Sequence, residues 1–475
     1  MQTTPATPFA LGNIRRFIAF RLLFNARFYY PVFTILFLDF GLSLEQFALL
    51  NTVWAFTIVL AEVPSGALAD LLGRKRLLIA TSLLMLAEMS LIAWAPGDGS
   101  SLVFWLFLVN RVVSGLAEAM ASGTDEALAY DTLVEHGMAD TWPLVLDWQM
   151  RLQSMGFILA MTLGAVVYDH GLLNRGFALL GLGLQIEPQV SMRLPIFLTL
   201  FFALLTLIVT LGMREPERHV DISHPPGAAA EAHGILSLAI LTLRAGMWIL
   251  RSPMALAIIL FGMTLDHTLR MLATLTSQYY RLIDLPESSF GLIGSAIALA
   301  GLGVPRLART MVDRFSPRAN VCIVSLAMIA ALIVLTRFIP YFGVLPMAAA
   351  FIGMMMTSFF TSSYLNAITS SSQRATVLSF KGMAFNLAYG AIGMGFAALI
   401  RHERLILAGR NPQASEAMLE NDAFITAIGW FPWYLALMLG LVCLITLPGL
   451  RRHKHAATGN LKTAKTIAST GSSEP

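Results

Sequence analysis

Charge is scarce in this chain. Only 13% of its 475 residues are Asp, Glu, Lys or Arg, while 56% are hydrophobic and the mean hydropathy is +0.70. A soluble domain carries about 25% charged residues. The deficit excludes a water-solvated surface over most of the chain and places it in a membrane. Cysteine is nearly absent: Cys322 and Cys443 lie in apolar segments far apart in sequence. They read as buried free thiols, without metal-ligand spacing. No GxxxxGK[ST] run occurs, which argues against ATP-driven transport. No Ser/His/Asp, metal or nucleotide constellation stands at usable spacing, so an enzyme is not expected. The net charge of +4 reports where loops lie, and nucleic acid is not an expected partner.

What the sequence has instead is long apolar runs. A spanning helix needs about 20 mainly apolar residues. That rule predicts spans near 17–38, 46–70, 77–95, 102–123, 148–168 and 194–213, then near 253–281, 289–308, 319–338, 343–365, 376–400 and 424–449. The predicted fold is an all-α integral membrane protein of twelve transmembrane helices in two halves of six, 17–213 and 253–449. The first apolar segment follows Arg15 and Arg16, is too long for a signal-peptide core and lacks a small-residue cleavage site, so it is expected to be an uncleaved span. Residues 1–16 form a tail. Residues 214–252 form a linker, with an interfacial helix over 235–250, and 450–475 read as a disordered tail. Of the 32 Lys and Arg, 20 fall in loops and tails on one side and 7 on the other. This bias predicts cytoplasmic termini.

The halves repeat. Placing Asp70 on Asp313 puts Arg27 on Arg270 and Leu42, Phe47 and Leu49 on Leu285, Phe290 and Leu292 without a gap. Internal repeats of this kind are typical of secondary transporters, with the site between repeats.

The most distinctive stretch is Gly66-Ala-Leu-Ala-Asp70-Leu-Leu-Gly73-Arg74-Lys75-Arg76. Wedged between two apolar runs, its charges must form an aqueous turn. The pattern resembles the loop between the second and third helices of the major facilitator superfamily, and the likeness covers nearly the whole chain. The resemblance implies that Gly66, Asp70, Gly73, Arg74 and Lys75 belong to a cytoplasmic gate, with Asp70 meeting the start of the eleventh span. Leu71 stands where the family carries a basic residue, so this position adds no charge to that contact. The second copy, Asp313-Arg314-Phe315-Ser316-Pro317-Arg318, keeps Asp313 and Arg314 but has Ser316 in place of the turn glycine. Arg374, at the start of the eleventh span, and Asp125 are expected to complete the gate.

Span four reads Asn110-Arg111-Val-Val-Ser114-Gly115 and resembles the family's Arg-x-x-x-Gly motif of proton antiporters. Arg111, Glu118 and Asp125 are seven apart, nearly two turns each, so on one helix they share a face. Either they form a proton or solute path, or Arg111 is structural with Glu118 as its counter-ion. The acidic segment that follows is expected to repel anions or to pair with Arg309, Arg314 or Arg374. Span seven carries Asp266, His267 and Arg270, the first and last able to pair as i,i+4. Charges at mid-bilayer cost several kcal/mol unless paired or wet. Arg27, Tyr30, Lys381 and Asn386 complete the candidate path; Glu88 is expected to be structural.

The resulting expectation is a proton-coupled secondary transporter of a small organic solute, exporting it across a bacterial inner membrane as a monomer in the lipid bilayer. The proton is the coupling ion and no other cofactor is expected. A proton-coupled importer, or a sensor on a transporter scaffold, is the alternative.

Overall fold

The computed structural model describes residues 7–216, 247, 249–369 and 371–449. The tail 450–475 and most of the linker, including nearly all of the helix expected over 235–250, lie outside the described residues. So do the side chains of Asp70 and Arg374.

The first half comprises α1 (Gly12–Asn25), α2 (Phe33–Asp39), α3 (Leu44–Leu72), α4 (Arg74–Ala93), α5 (Ser101–Ala121), α6 (Thr124–Glu135), α7 (Trp142–Tyr168), α8 (His170–Leu179) and α9 (Leu194–Leu211). The second comprises α10 (Pro253–Thr274), α11 (Thr276–Leu282), α12 (Glu287–Gly301), α13 (Val304–Arg314), α14 (Pro317–Leu335), α15 (Val344–Ile368), α16 (Ser371–Arg410), α17 (Glu416–Gly429) and α18 (431–449). Among the described residues, eleven helical stretches are long and apolar enough to cross a membrane. The twelfth span is the first. Expected as one run over 17–38, it is broken between α1 and α2, where Pro31 removes a backbone donor. The fold is the expected two-half bundle of twelve.

The repeat survives in three dimensions. Phe33 and Thr276, Leu44 and Glu287, Arg74 and Pro317, and Ser101 and Val344 each begin a helix at the same offset of 243. Thr34 and Ser277 share that offset and touch: the Thr34 amide donates to Ser277 Oγ at 2.9 Å. Equivalent residues of two repeats meet only where the axis relating them passes between them.

Three features differ from expectation. α16 runs on to Arg410 instead of stopping near 400, because its helix-forming extension is anchored by Arg404 on Glu420 at 3.1 Å. α8 is an additional short helix, started by the Asp169 side chain accepting from the Leu172 amide. Cys322, expected to be buried, is exposed.

The halves meet most closely on the face opposite Gly73–Arg76. A Cβ on Gly291 of α12 would lie 2.0 Å from the Met161 carbonyl of α7, and one on Gly393 of α16 would lie 2.4 Å from Thr52 Oγ1 of α3. Towards the basic face the contacts between α3 and α16 relax to ordinary van der Waals distance. The same distance is 3.5 Å from Gly390 to Phe56 and 3.9 Å from Gly382 to Glu62, and Gly66 meets nothing within 4 Å.

Candidate functional site

The motif at Gly66–Arg76 braces its own half. Gly73 has φ +93°, a region that favours glycine, and ends α3 so that α4 can start at once. The Glu215 carboxylate accepts from the amides of Arg74 (2.9 Å) and Lys75 (2.7 Å), an anion set on a helix N-terminus. Arg74 also pairs with Asp131 and donates to the Ala127 carbonyl at 2.8 Å.

The acidic segment is likewise answered from within. Asp125 is 2% exposed and pairs with Arg21 at 2.5 Å, and Glu135 pairs with Arg214 at 3.0 Å. The expected partners Arg309 and Arg314 are not used among the described residues, because α6 folds beneath α1 and α4. Asp313 and Arg314 are exposed. Among the described residues, the ion pair joining the halves is on the far face: Arg281 grips both Asp39 oxygens at 2.8 Å. Arg281 also reaches Glu287 at 2.6 Å, and the Tyr168 hydroxyl donates to Asp39. The Asp169 carboxylate accepts from the Ser288 amide across the halves at 3.3 Å. Partial burial pulls the Asp169 carboxyl up, but the hydrogen bonds from Leu172 and Ser288 outweigh it and hold it below the usual carboxylate range. Sequence reasoning missed this far-face cluster. Its available signal was charge at matched outer ends of the first and seventh spans.

The stripe Arg111–Glu118–Asp125 does not lie on one helix. α5 ends at Ala121, Gly123 turns the chain at φ +73°, and Asp125 belongs to α6. Arg111 is not paired with Glu118. It is buried, donates to Asn110 Oδ1 at 2.9 and 2.7 Å, and lies 5.5 and 5.4 Å from the Phe33 and Phe37 ring centres. Gly115 has a packing role, since a Cβ there would lie 2.8 Å from Thr57 of α3. Glu118 is exposed on α5 and has no ion pair among the described residues.

Arg27 is paired with Glu88 of α4, their side chains 4% and 0% exposed. The Asn110 amide holds the Glu88 backbone carbonyl at 2.6 Å. Tyr30, beside this pair in sequence, is 45% exposed.

In the second half Asp266 and Arg270 pair at 2.5 Å, and Arg270 also donates to Asn386 Oδ1 at 2.9 Å. The Arg270 guanidinium sits 5.4 Å from the Tyr389 ring centre, and Lys381 lies 5.4 Å from that of Phe385. Arg270, Lys381 and Asn386 are half-buried. His267 turns away from this cluster. Its Nδ1 faces the Met263 carbonyl at 2.6 Å, which can only accept, so Nδ1 carries the proton and Nε2 accepts from the Tyr434 hydroxyl at 2.7 Å. The structure thus brings together Asp266, Arg270, Lys381 and Asn386 in one half and leaves Tyr30 and Glu118 exposed in the other. Among the described residues no cluster of His, Cys, Asp and Glu could hold a metal.

The model of the Major Facilitator Superfamily matches residues 17–398. Among solved structures, a bacterial homologue of the human lysosomal transporter Spinster, inward-facing and unoccupied, superposes with a TM-score of 0.70 at 15% identity, covering 94% of this chain and 98% of that one. A mutant of the nucleoside transporter NupG gives 0.66 at 14%, covering 92% and 99%. A D-xylose–proton symporter gives 0.58 at 13%, covering 89% and 97%. At these identities the likeness is one of fold. No curated protein matches in sequence.

Proposed function

The chain belongs to the major facilitator superfamily, and on that premise we propose that it exports a small organic solute in exchange for protons, working as a monomer in a bacterial plasma membrane. It is a secondary transporter and not an enzyme; the solute, the direction and the proton are the proposal. The Lys/Arg bias supports a cytoplasmic basic face with both termini on that side. The close contacts and the Asp39–Arg281 ion pair on the far face then support an inward-facing state.

The observation that carries the reading is the half-buried Asp266–Arg270–Asn386 cluster beside Lys381. An intramembrane charge that is neither sealed away nor left idle marks a solute or ion path. Protonating Asp266 removes its hold on Arg270 and frees a guanidinium for the solute. Glu118, exposed and without an ion-pair partner among the described residues, is the second proton carrier. Arg27 and Glu88 cancel one another and Arg21 is answered by Asp125, which leaves Arg111, Arg270 and Lys381 in near balance with Glu62, Glu118 and Asp266. That balance favours an anionic, zwitterionic or neutral solute. Export is the direction suggested by the likeness of the Arg111 segment to antiporters.

The test is a panel of radiolabelled organic anions, zwitterions and neutral solutes in proteoliposomes under an imposed pH gradient. Wild type is expected to move at least one of them uphill, and Asp266→Asn and Glu118→Gln to lose that drive. Full gradient-driven flux in both variants overturns the proton assignment.

A further inference from the structure

The two halves treat one gap differently. In the first half α4 and α9 pack directly: Ser82 Oγ meets Thr210 Oγ1 at 3.1 Å, and Leu78, Met85 and Ala203 are buried in the same cluster. The repeat places Ser325 of α14 at the position of Ser82, 243 residues on. Around Ser325 the gap is open. A cavity of about 810 Å³ is floored by α10 and α15 and walled by α14 and α18. Ser325 is 8% exposed, lines the cavity, and its hydroxyl has no hydrogen-bond partner among the described residues. A buried hydroxyl left without a partner costs about 1–3 kcal/mol, which a hydrogen bond to an occupant of the cavity would offset. The cavity is not part of the charged site. Its floor includes Phe261 and Leu265, which lie about 100–180° around α10 from Asp266 and Arg270.

The chemistry of the walls limits the occupant. The lining is overwhelmingly apolar, which suits hydrocarbon and not a polar solute. Exposed side chains on both walls, Cys322 and Leu326 on α14 and Leu447 on α18, open it sideways. Arg318 lines its end nearest the basic face, one residue inside the start of α14, and is exposed. Ser325 follows seven residues later, about 10 Å along the axis. A cation at headgroup level above a lone hydroxyl and an apolar shaft matches an amphiphile with an anionic head. We propose that this crevice binds one anionic phospholipid of the adjoining leaflet, with its phosphate on Arg318, an ester oxygen accepting from Ser325, and its chains along α10 and α15. A guanidinium recognises phosphate through paired N–H donors, and juxtamembrane cations favour anionic lipid.

Gly440 of α18 lines the crevice, and a Cβ added there meets nothing within 4 Å. Gly440→Trp therefore enters the crevice without a backbone clash and serves as a plug. The experiment is native mass spectrometry of the full chain released from nanodiscs of equal phosphatidylglycerol and phosphatidylethanolamine. Wild type is expected to retain one phosphatidylglycerol per chain in preference to phosphatidylethanolamine, and Gly440→Trp to lower that occupancy by about tenfold, or about 1.4 kcal/mol. Arg318→Ala, at an exposed position, is expected to abolish the headgroup preference, and it carries the test if the plugged variant does not fold. Retention that ignores both substitutions overturns the proposal. So does the absence of any retained anionic lipid, the outcome expected if residues 217–246 of the chain or the transported solute fill the crevice.

Discussion

Arg27 and Arg270 occupy the same position of the repeat and meet opposite fates. Arg27 reaches across to Glu88 on another span, and the pair is sealed at 4% and 0% exposure. Arg270 pairs with Asp266 of its own helix, at 29% and 13%, and reaches on to Asn386 of α16. A buried pair between two helices fixes their packing, and removing one partner strands a charge. The Asp266 side chain bonds only to Arg270 of its own helix among the described residues, so its protonation can change while Arg270 keeps its contact with α16. The difference separates a structural charge from a working one within a single repeat.

The largest expected effect falls on the first pair. Glu88→Ala leaves Arg27 buried and uncompensated, at a cost of about 3–5 kcal/mol. Thermal unfolding in detergent is expected to show a large drop in midpoint; a midpoint near wild type would remove the structural role. Asp266→Asn is expected to change stability by less than about 1 kcal/mol, as for a partly exposed pair. It is expected to abolish pH-driven flux, leaving it at least about tenfold below wild type.

The contrast between the two faces yields the next test. Gly291→Leu sets a side chain against the Met161 carbonyl, where even a Cβ has only 2.0 Å. It is expected to push the far face open, raising thiol labelling of a cysteine placed at Ser288; unchanged labelling argues against that contact as the closure. Asp39→Asn removes a solvent-reached carboxylate from Arg281 and is expected to act in the same direction, by about 0.2–1 kcal/mol.

The smallest effect is the pH dependence at Asp169. Its carboxyl is held below its ordinary value in the closed arrangement. The stabilisation is therefore present above the ordinary carboxylate range and lost as pH falls through the lowered value. Acidifying that face is expected to raise labelling slightly, and Asp169→Asn to abolish the dependence.

Most of the scaffold was legible in the sequence because hydrocarbon imposes a length and a repeat imposes a register. The offset read from Asp70 and Asp313 recurs in four helix starts and in the contact between Thr34 and Ser277. Partner choice was less legible. Asp266–Arg270 could be read because i,i+4 spacing is local. Arg27–Glu88 and Asp39–Arg281 could not, because each depends on which spans pack together. The stripe from Arg111 to Asp125 failed at Gly123, where a positive φ breaks the helix on which the spacing argument relied.

The most direct measurement is flux of a transported solute per folded molecule, compared between Asp266→Asn and wild type at matched thermal midpoint. The expected result is an unchanged midpoint with pH-driven flux lost and solute exchange without a gradient retained. Wild-type flux in Asp266→Asn, or a collapse of its midpoint like that of Glu88→Ala, would contradict the division between the two pairs.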